Sequence, residues 1–166
     1  EYAAYLYAGP GSQVTGLTAL RHHGVRAVDL QSARVAGQPG VEPAHLLIES
    51  SRRRLSTGYA RIERTGRLPE PVRVARLPMP LSPVARAAAD AVRRMRTPSD
   101  VDATVAEVVS RQLCTIDSLR TELELGQRRG SGLFRDALTA VEAGARSGPE
   151  VDLVQIMKTG KIPNVV

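Results

Sequence analysis

Apolar residues recur along the chain in two rhythms, and the change of rhythm divides it. Tyr2, Tyr5 and Leu6 fall at helical spacing before Gly9-Pro10-Gly11 stops the run. Ser12 is placed to cap a second helix carrying Val14, Leu17 and Leu20, which Gly24 ends after the His22-His23 pair. Residues 31–41 are polar and broken by Gly and Pro, which predicts a loop. The period then shortens to two. Ala44, Leu46 and Ile48 alternate with His45, Leu47 and Glu49, then Ala60 and Ile62 with Tyr59, Arg61 and Glu63, then Val72 and Val74 with Arg73 and Ala75. Arg52-Arg53-Arg54 falls between the first two runs as a turn or loop, and Pro78 and Pro80 end the pattern. Short strands separated by turns predict a small antiparallel meander, aliphatic on one face and carrying Arg61, Glu63 and Arg73 on the other. Such a sheet needs cover, which helices on either side supply.

The remainder is helical, with clear start signals. Ser82-Pro83 sets an N-cap before a proline at the first helical position. Val84, Ala88, Ala91 or Val92, and Met95 then form an apolar face, with Arg86, Asp90 and Arg94 four apart on another. Thr97-Pro98-Ser99-Asp100 opens a helix through Val101, Val105, Val108 and Val109. Thr115 opens a shorter one through Ile116, Leu119 and Leu123, closed by Gly126. Residues 131–145 carry Phe134, Leu138 and Val141, and Ser147-Gly148-Pro149-Glu150 is a capping box for a helix through Val151, Val154 and Met157 that ends at Gly160. The predicted class is α+β: two N-terminal helices, a small three-stranded antiparallel sheet, then a run of four to five C-terminal helices. The predicted organisation is an α+β core with a basic sheet segment over residues 1–96, a helical region over 97–146, and a C-terminal helix or the start of a further domain over 147–166.

Composition narrows the function classes. A length of 166 residues fits one domain or two small ones and leaves room for a buried core. With no Trp, one Phe (Phe134) and four Tyr, that core must be built from Ala, Val, Leu and Ile. So few rings also argue against a stacking platform for single-stranded nucleic acid. Cys114 is the one Cys, which excludes an intrachain disulfide and a Cys-rich zinc site. No apolar run approaches the ~18 residues of a membrane span, and no signal peptide is visible. The expectation is a cytoplasmic chain with no membrane partner. With Glu1 in place of Met, the expectation is a natural start upstream.

Of 23 basic residues only Lys158 and Lys161 are Lys. A genome rich in G and C favours Arg, and that accounts for the kind of base. The distribution says more. Residues 1–49 hold three Arg against four acids, residues 50–96 hold twelve Arg against three acids, and residues 97–166 hold eight basic residues against ten acids. The middle segment, net +9, is either a phosphate-facing surface or a set of solvated Arg on exposed strand faces. Candidate contacts to nucleic acid are Arg52, Arg53, Arg54, Arg61 and Arg73. Arg128 and Arg129 join them because they precede a helix N-terminus, though the same stretch also reads as a linker.

Other chemistry is sparse. His22, His23 and His45 are the whole histidine inventory, and adjacent histidines on a helix point apart, so one metal cannot easily take both. The His22-His23 pair suits a helix C-terminus with free carbonyls. There is no dinucleotide-binding Gly motif, Walker loop or nucleophile elbow. Ser131, flanked by Gly130 and Gly132, reads as a cap, and Cys114 as a small buried apolar residue. No cofactor is expected.

Four passages, in order, resemble the core region of the AbiEi-type antitoxin family of actinobacteria. Gly9-Pro10-Gly11-Ser12-Gln13-Val14-Thr15-Gly16-Leu17-Thr18-Ala19-Leu20 with His23-Gly24 is similar to its "GPG-hydrophobic-S-x-x-A-A-x-x-HG" opening. His45-Leu46-Leu47-Ile48 and the Arg run resemble its "V-H-V-x-V…RRR" strand and turn. Leu77-Pro78 through Ala85-Arg86-Ala87 and Asp90 resemble "LPVT…ARALxD". Arg129-Gly130-Ser131…Arg135-Asp136-Ala137-Leu138 and Ser147…Glu150 resemble "RPGS…RxAL…S-x-x-E".

The resemblance implies a regulatory protein whose DNA-reading winged helix-turn-helix of about fifty residues would lie ahead of Glu1. It also implies a continuation into a domain similar to very-short-patch-repair endonucleases. There Glu150 would open the first helix, and a later Asp and Glu-x-Lys would bind the metal. This chain would then be the middle of a longer protein. A Mg²⁺ site needs several converging acids, and here only Glu150 stands in the motif, with a second role as capping partner of Ser147. For this chain the expectation is no catalysis and no metal. The leading reading is a non-catalytic regulatory or antitoxin-like domain of a DNA-associated protein, with weak non-specific phosphate affinity and a toxin or other protein as partner. The alternatives are the non-catalytic part of a metal-dependent DNA endonuclease and a plain protein-interaction domain. No helix carries Asn, Gln and Arg spaced for base edges, so any DNA binding is expected to be salt-driven.

Overall fold

Five successive residues, Ala44 to Ile48, are buried, so the strand they form is covered on both faces. That strand is the centre of the fold. The computed structural model describes residues 1–27, 42–126 and 130–144. In chain order it contains α1 (Tyr2–Ala8), β1 (Gln13–Val14), α2 (Gly16–His22), β2 (Ala44–Glu49), β3 (Ala60–Thr65), α3 (Val84–Val92), α4 (Pro98–Ser110), α5 (Ile116–Leu125) and α6 (Gly132–Glu142). The class is α+β, as the pattern predicts. The predicted loop at 31–41 lies wholly within the undescribed residues 28–41. The helix opened by Ser147 and Glu150 lies wholly outside the described residues.

The sheet is mixed and not an antiparallel meander. Its order is β1-β2-β3, with β1 antiparallel and β2 parallel to its other neighbour, β3. Register sets His45 beside Arg61, Leu46 beside Ile62 and Leu47 beside Glu63. Period-two alternation is the same in parallel and antiparallel strands, so the pattern could not tell them apart. The length of the connection could: residues 50–59 are more than the two to five of a typical hairpin loop. They form a crossover, and Arg52-Arg53-Arg54 lies within it.

The third strand is also not the predicted one. Gln13-Val14, expected inside a helix capped by Ser12, pairs with Leu47 and Leu46. Ser12 instead donates its hydroxyl to the Gly9 carbonyl at 2.7 Å, and α2 starts after Thr15. The Val72–Val74 run is held at one point only. Val72 and Leu81 exchange backbone hydrogen bonds of 2.7 and 2.9 Å, and Leu81 bridges Val14 on the side of β1 away from β2.

α3 is the central helix. Eight of its residues are buried, and the second face that Arg86 and Asp90 share is buried with them. Its alanines let neighbouring helices approach closely, and it packs against α2, α4, α5 and α6. Ser82 does not cap it. The Ser82 hydroxyl donates to Gln13 Oε1 at 3.1 Å, and the helix begins after Pro83. Beyond α3 the local signals hold. α4 begins at Pro98 behind Thr97, and Thr115 caps α5 by accepting from the Ser118 N–H at 3.1 Å. One core runs from Ala4 through Leu46, Ile48 and the α3 alanines to Leu119, Phe134 and Leu138. It is aliphatic apart from Met79 and Phe134, as the composition requires. A fully buried Leu or Phe of this kind stabilises the fold by roughly 1.5–3 kcal/mol.

Candidate functional site

The structure sorts the twelve arginines of residues 50–96 by what each one meets. Four are taken by carboxylates. Arg86 Nε donates to both oxygens of Asp90 at 3.0 and 2.9 Å, and Arg93 Nη1 donates to Asp90 Oδ1 at 3.2 Å. Arg67 makes a two-pronged pair with Glu122, and Arg94 pairs with Glu63. Asp90 is only 1% exposed, and its other hydrogen bond comes from the Thr15 hydroxyl at 2.7 Å. Arg86 also reaches the Arg67 carbonyl at 3.3 Å and lies 3.9 Å from Glu122 Oε2. A buried carboxylate survives only when paired and hydrogen-bonded, and these groups satisfy one another. They hold α2, α3 and α5 together and are not available to a ligand.

Two more are bound locally. Arg52 Nη1 donates to the Pro10 carbonyl and Nη2 to the Ala8 carbonyl, both at 2.6 Å, so it caps the C-terminal end of α1. Gly9 makes room for it: its φ is +82°, and a Cβ there would stand 2.9 Å from Arg52 Nη2. Arg54 lies over the Tyr7 ring, 5.7 Å from its centroid.

The other six, Arg53, Arg61, Arg64, Arg73, Arg76 and Arg96, are exposed, and no carboxylate among the described residues pairs with them. They do not form one cluster. Arg61 and Arg64 lie on β3, the edge strand. They leave its opposite faces but both reach solvent, and Arg53 is in the crossover that precedes it. Arg73 is beyond β1 and Leu81, at the other edge of the sheet. Four strand spacings of ~4.8 Å put it roughly 19 Å from the β3 row. The expectation that Arg61 and Arg73 share one side is therefore corrected; it rested on a Val72–Val74 strand beside β3. Arg53 and Arg54 in the crossover and Arg61 and Arg64 on the strand it feeds belong to one edge of the sheet, on both of its faces. Sequence reasoning passed over Arg64 because its position in the alternation was on the apolar face. Charged side chains on an edge strand also keep it from pairing with other chains.

The positive field of this edge is felt by half-buried Arg94 and buried His45. Burial and Arg61 push the Arg94 guanidinium below its ordinary value. His45, only 4% exposed, is pushed down to about 4 by burial, then by Arg94, Arg61 and Arg21 against the opposing pull of Glu42. Its backbone is fixed by Thr18, whose hydroxyl accepts from the His45 N–H at 3.1 Å, and by the Thr15 N–H on its carbonyl at 2.9 Å. Its Nδ1 has no hydrogen-bond partner, and a Cβ on Gly16 would come within 2.5 Å of it. The sequence shows His45 as a strand residue and as one of three histidines, with no role assigned to it alone. Nothing local signals its burial.

The remaining candidates stand apart. His22 Nε2 meets Glu1 Oε2 at 2.6 Å, while His23 Nε2 meets the Ser82 carbonyl at 2.9 Å, so the adjacent rings diverge at the end of α2. Burial pushes the Cys114 thiol up to about 11 against a hydrogen bond with Ser118, which keeps it protonated at neutral pH. Ser131 is buried at the head of α6 and, with Arg120, Leu123, Glu124 and Arg135, lines an open groove between α5 and α6. Arg128, Arg129 and Glu150 lie outside the described residues. Among the described residues, no group of three His, Cys, Asp or Glu is placed to hold a metal ion, and no helix is long and apolar enough to cross a membrane. No family model, curated protein or solved structure matches the chain.

Proposed function

We propose that the chain is a non-catalytic regulatory module, of the kind the AbiEi-type resemblance implies, that binds nucleic-acid phosphate weakly along the β3 edge. The toxin or other protein that such an antitoxin core would hold belongs to the same proposal. One observation carries it: Arg53, Arg61 and Arg64 lie along one sheet edge and its crossover with no carboxylate among the described residues paired to them, while Arg67, Arg86, Arg93 and Arg94 are all paired. Unpaired guanidinium groups on one surface attract phosphate and release its counterions. They position a nucleic acid without reading its sequence.

The test is binding of a labelled random-sequence duplex at low salt. Arg53→Glu, Arg61→Glu and Arg64→Glu combined should abolish it. Arg73→Glu with Arg76→Glu, away from that edge but equal in kind, should leave most of it. Equal loss in both variants would reduce the site to overall net charge. In the same tubes, Mg²⁺ or Mn²⁺ should produce no strand cleavage. Metal-dependent cutting would favour the endonuclease reading instead.

A further inference from the structure

The four tyrosines lie on α1 (Tyr2, Tyr5 and Tyr7) and at the foot of β3 (Tyr59), apart from Phe134 in the core. The crossover carries Tyr59 against Tyr7, with ring centroids 6.0 Å apart at 69°. The Tyr7 hydroxyl donates to the Leu55 carbonyl at 3.0 Å, and Arg54 covers the Tyr7 ring. The helix and the crossover thus make one surface, fixed by three contacts.

That surface is open. Tyr59 is 50% exposed and Leu55 74%, and Leu6 of α1 is 59% exposed, while Ala4 and Ala8 turn the opposite face of α1 into the core. Its charge has one sign. Residues 50–59 hold Arg52, Arg53 and Arg54 and no acid, and residues 2–8 hold no charge at all. Glu1, ahead of α1, is engaged by His22. Exposed Leu55 and Tyr59 beside two arginines give this surface both apolar and cationic contacts to offer a partner. A nucleic-acid single strand offers what the patch lacks: a flat ring face and a phosphate in every nucleotide. A duplex keeps its base faces in the stack and offers phosphate alone. A protein partner would have to bring both an apolar face and carboxylates for Arg53 and Arg54.

We propose that the surface formed by Tyr7, Leu55 and Tyr59 with Arg53 and Arg54 binds single-stranded nucleic acid, Tyr59 stacking on a base while the guanidinium groups hold the flanking phosphates. The proposal rests on the phosphate-binding reading above and adds to it a preference for unpaired strands. The number of rings in the chain argued against a stacking platform. Their placement reverses that argument, because one or two stacked bases suffice when the rings stand beside the cations.

The test compares an oligo(dT) strand with a duplex of equal length at one salt concentration, by anisotropy of the labelled DNA. The chain has no Trp, so its emission comes from four tyrosines, two of which, Tyr7 and Tyr59, stand in the patch. The single strand should bind more tightly than the duplex and quench that emission. Tyr59→Ala should weaken single-strand binding about tenfold, leave duplex binding unchanged, lower Tm by no more than a few degrees through the lost contact with Tyr7, and be rescued by Tyr59→Phe. A preference for duplex, or a Tyr59→Ala effect that is nil or equal on both, overturns the stacking proposal and leaves the phosphate reading standing. Displacement of oligo(dT) by polyglutamate at equal charge concentration also overturns it and assigns the patch to an acidic protein. Absence of salt-dependent binding to either DNA removes the phosphate reading itself.

Discussion

The Thr15 hydroxyl donates to Asp90 Oδ2 at 2.7 Å, joining the residue that opens α2 to a carboxylate 75 positions later in the last turn of α3. Asp90 also receives Arg86 and Arg93, so one buried side chain fixes two helices and two guanidinium groups. Removing it should be far more damaging than removing any one donor. Asp90→Ala strands a buried Arg86 without its partner and should cost roughly 3–5 kcal/mol in denaturant unfolding. Thr15→Val should cost about 1–2 kcal/mol. The double variant should cost less than the sum, since both delete the same bond. A cost below about 1 kcal/mol for Asp90→Ala would show that the hub does not organise the fold.

His45 gives the protein an acid-sensitive component of stability. Its folded value is pushed down to about 4 from an ordinary 6.5. Above 6.5 the ring is neutral in both states and stability is at its full value. As pH falls from 6.5 to 4, the unfolded chain takes up the proton and the folded one does not, so stability drops by about 3 kcal/mol and then levels. Glu107 acts in a lower window. Burial pushes it up, but the N–H groups of Arg26 and Ala27 and the Arg111 guanidinium outweigh that and leave it below its ordinary 4.5. Its share of stability is lost as pH falls from about 4.5 through that depressed value. Urea midpoints from pH 7 to 4 should therefore fall in the native protein, and fall less in His45→Gln. Parallel curves for the two would remove His45 from the account.

Arg52 and Arg53 are neighbours in sequence with opposite tasks. Arg52→Ala frees the Ala8 and Pro10 carbonyls and should lower stability by roughly 1–2 kcal/mol, a few degrees in Tm. Arg53→Ala should leave Tm within about a degree and weaken DNA binding. The inverse pattern, with Arg52 silent in melting, would show that it does not strap α1.

What the sequence disclosed and what it hid follow one physical rule. Thr97-Pro98, Thr115 and Gly126 act through neighbours within four residues, so the bounds of α4 and α5 were legible. The direction of β3, the pairing of Gln13-Val14 with β2 and the burial of Arg86 and Asp90 depend on partners tens of residues away. No local period encodes those. The candidate surface divides in the same way. Arg53, Arg54 and Arg61 stood out by density. The diversion of Arg52 to the end of α1, the removal of Arg73 to the far edge and the meeting of Tyr59 with Tyr7 are products of the parallel crossover. That crossover was misread as a turn in a meander.

The salt dependence of duplex binding tests the central claim most directly. If Arg53, Arg54, Arg61 and Arg64 are the groups that meet phosphate, log K should fall linearly with log[salt] at a slope of about −3 to −4, at roughly −0.9 per contact. The Arg53→Ala and Arg64→Ala double variant should reduce that slope by about 2. A slope near zero, or one unchanged in the variant, would contradict the assignment of the β3 edge as the phosphate-binding surface.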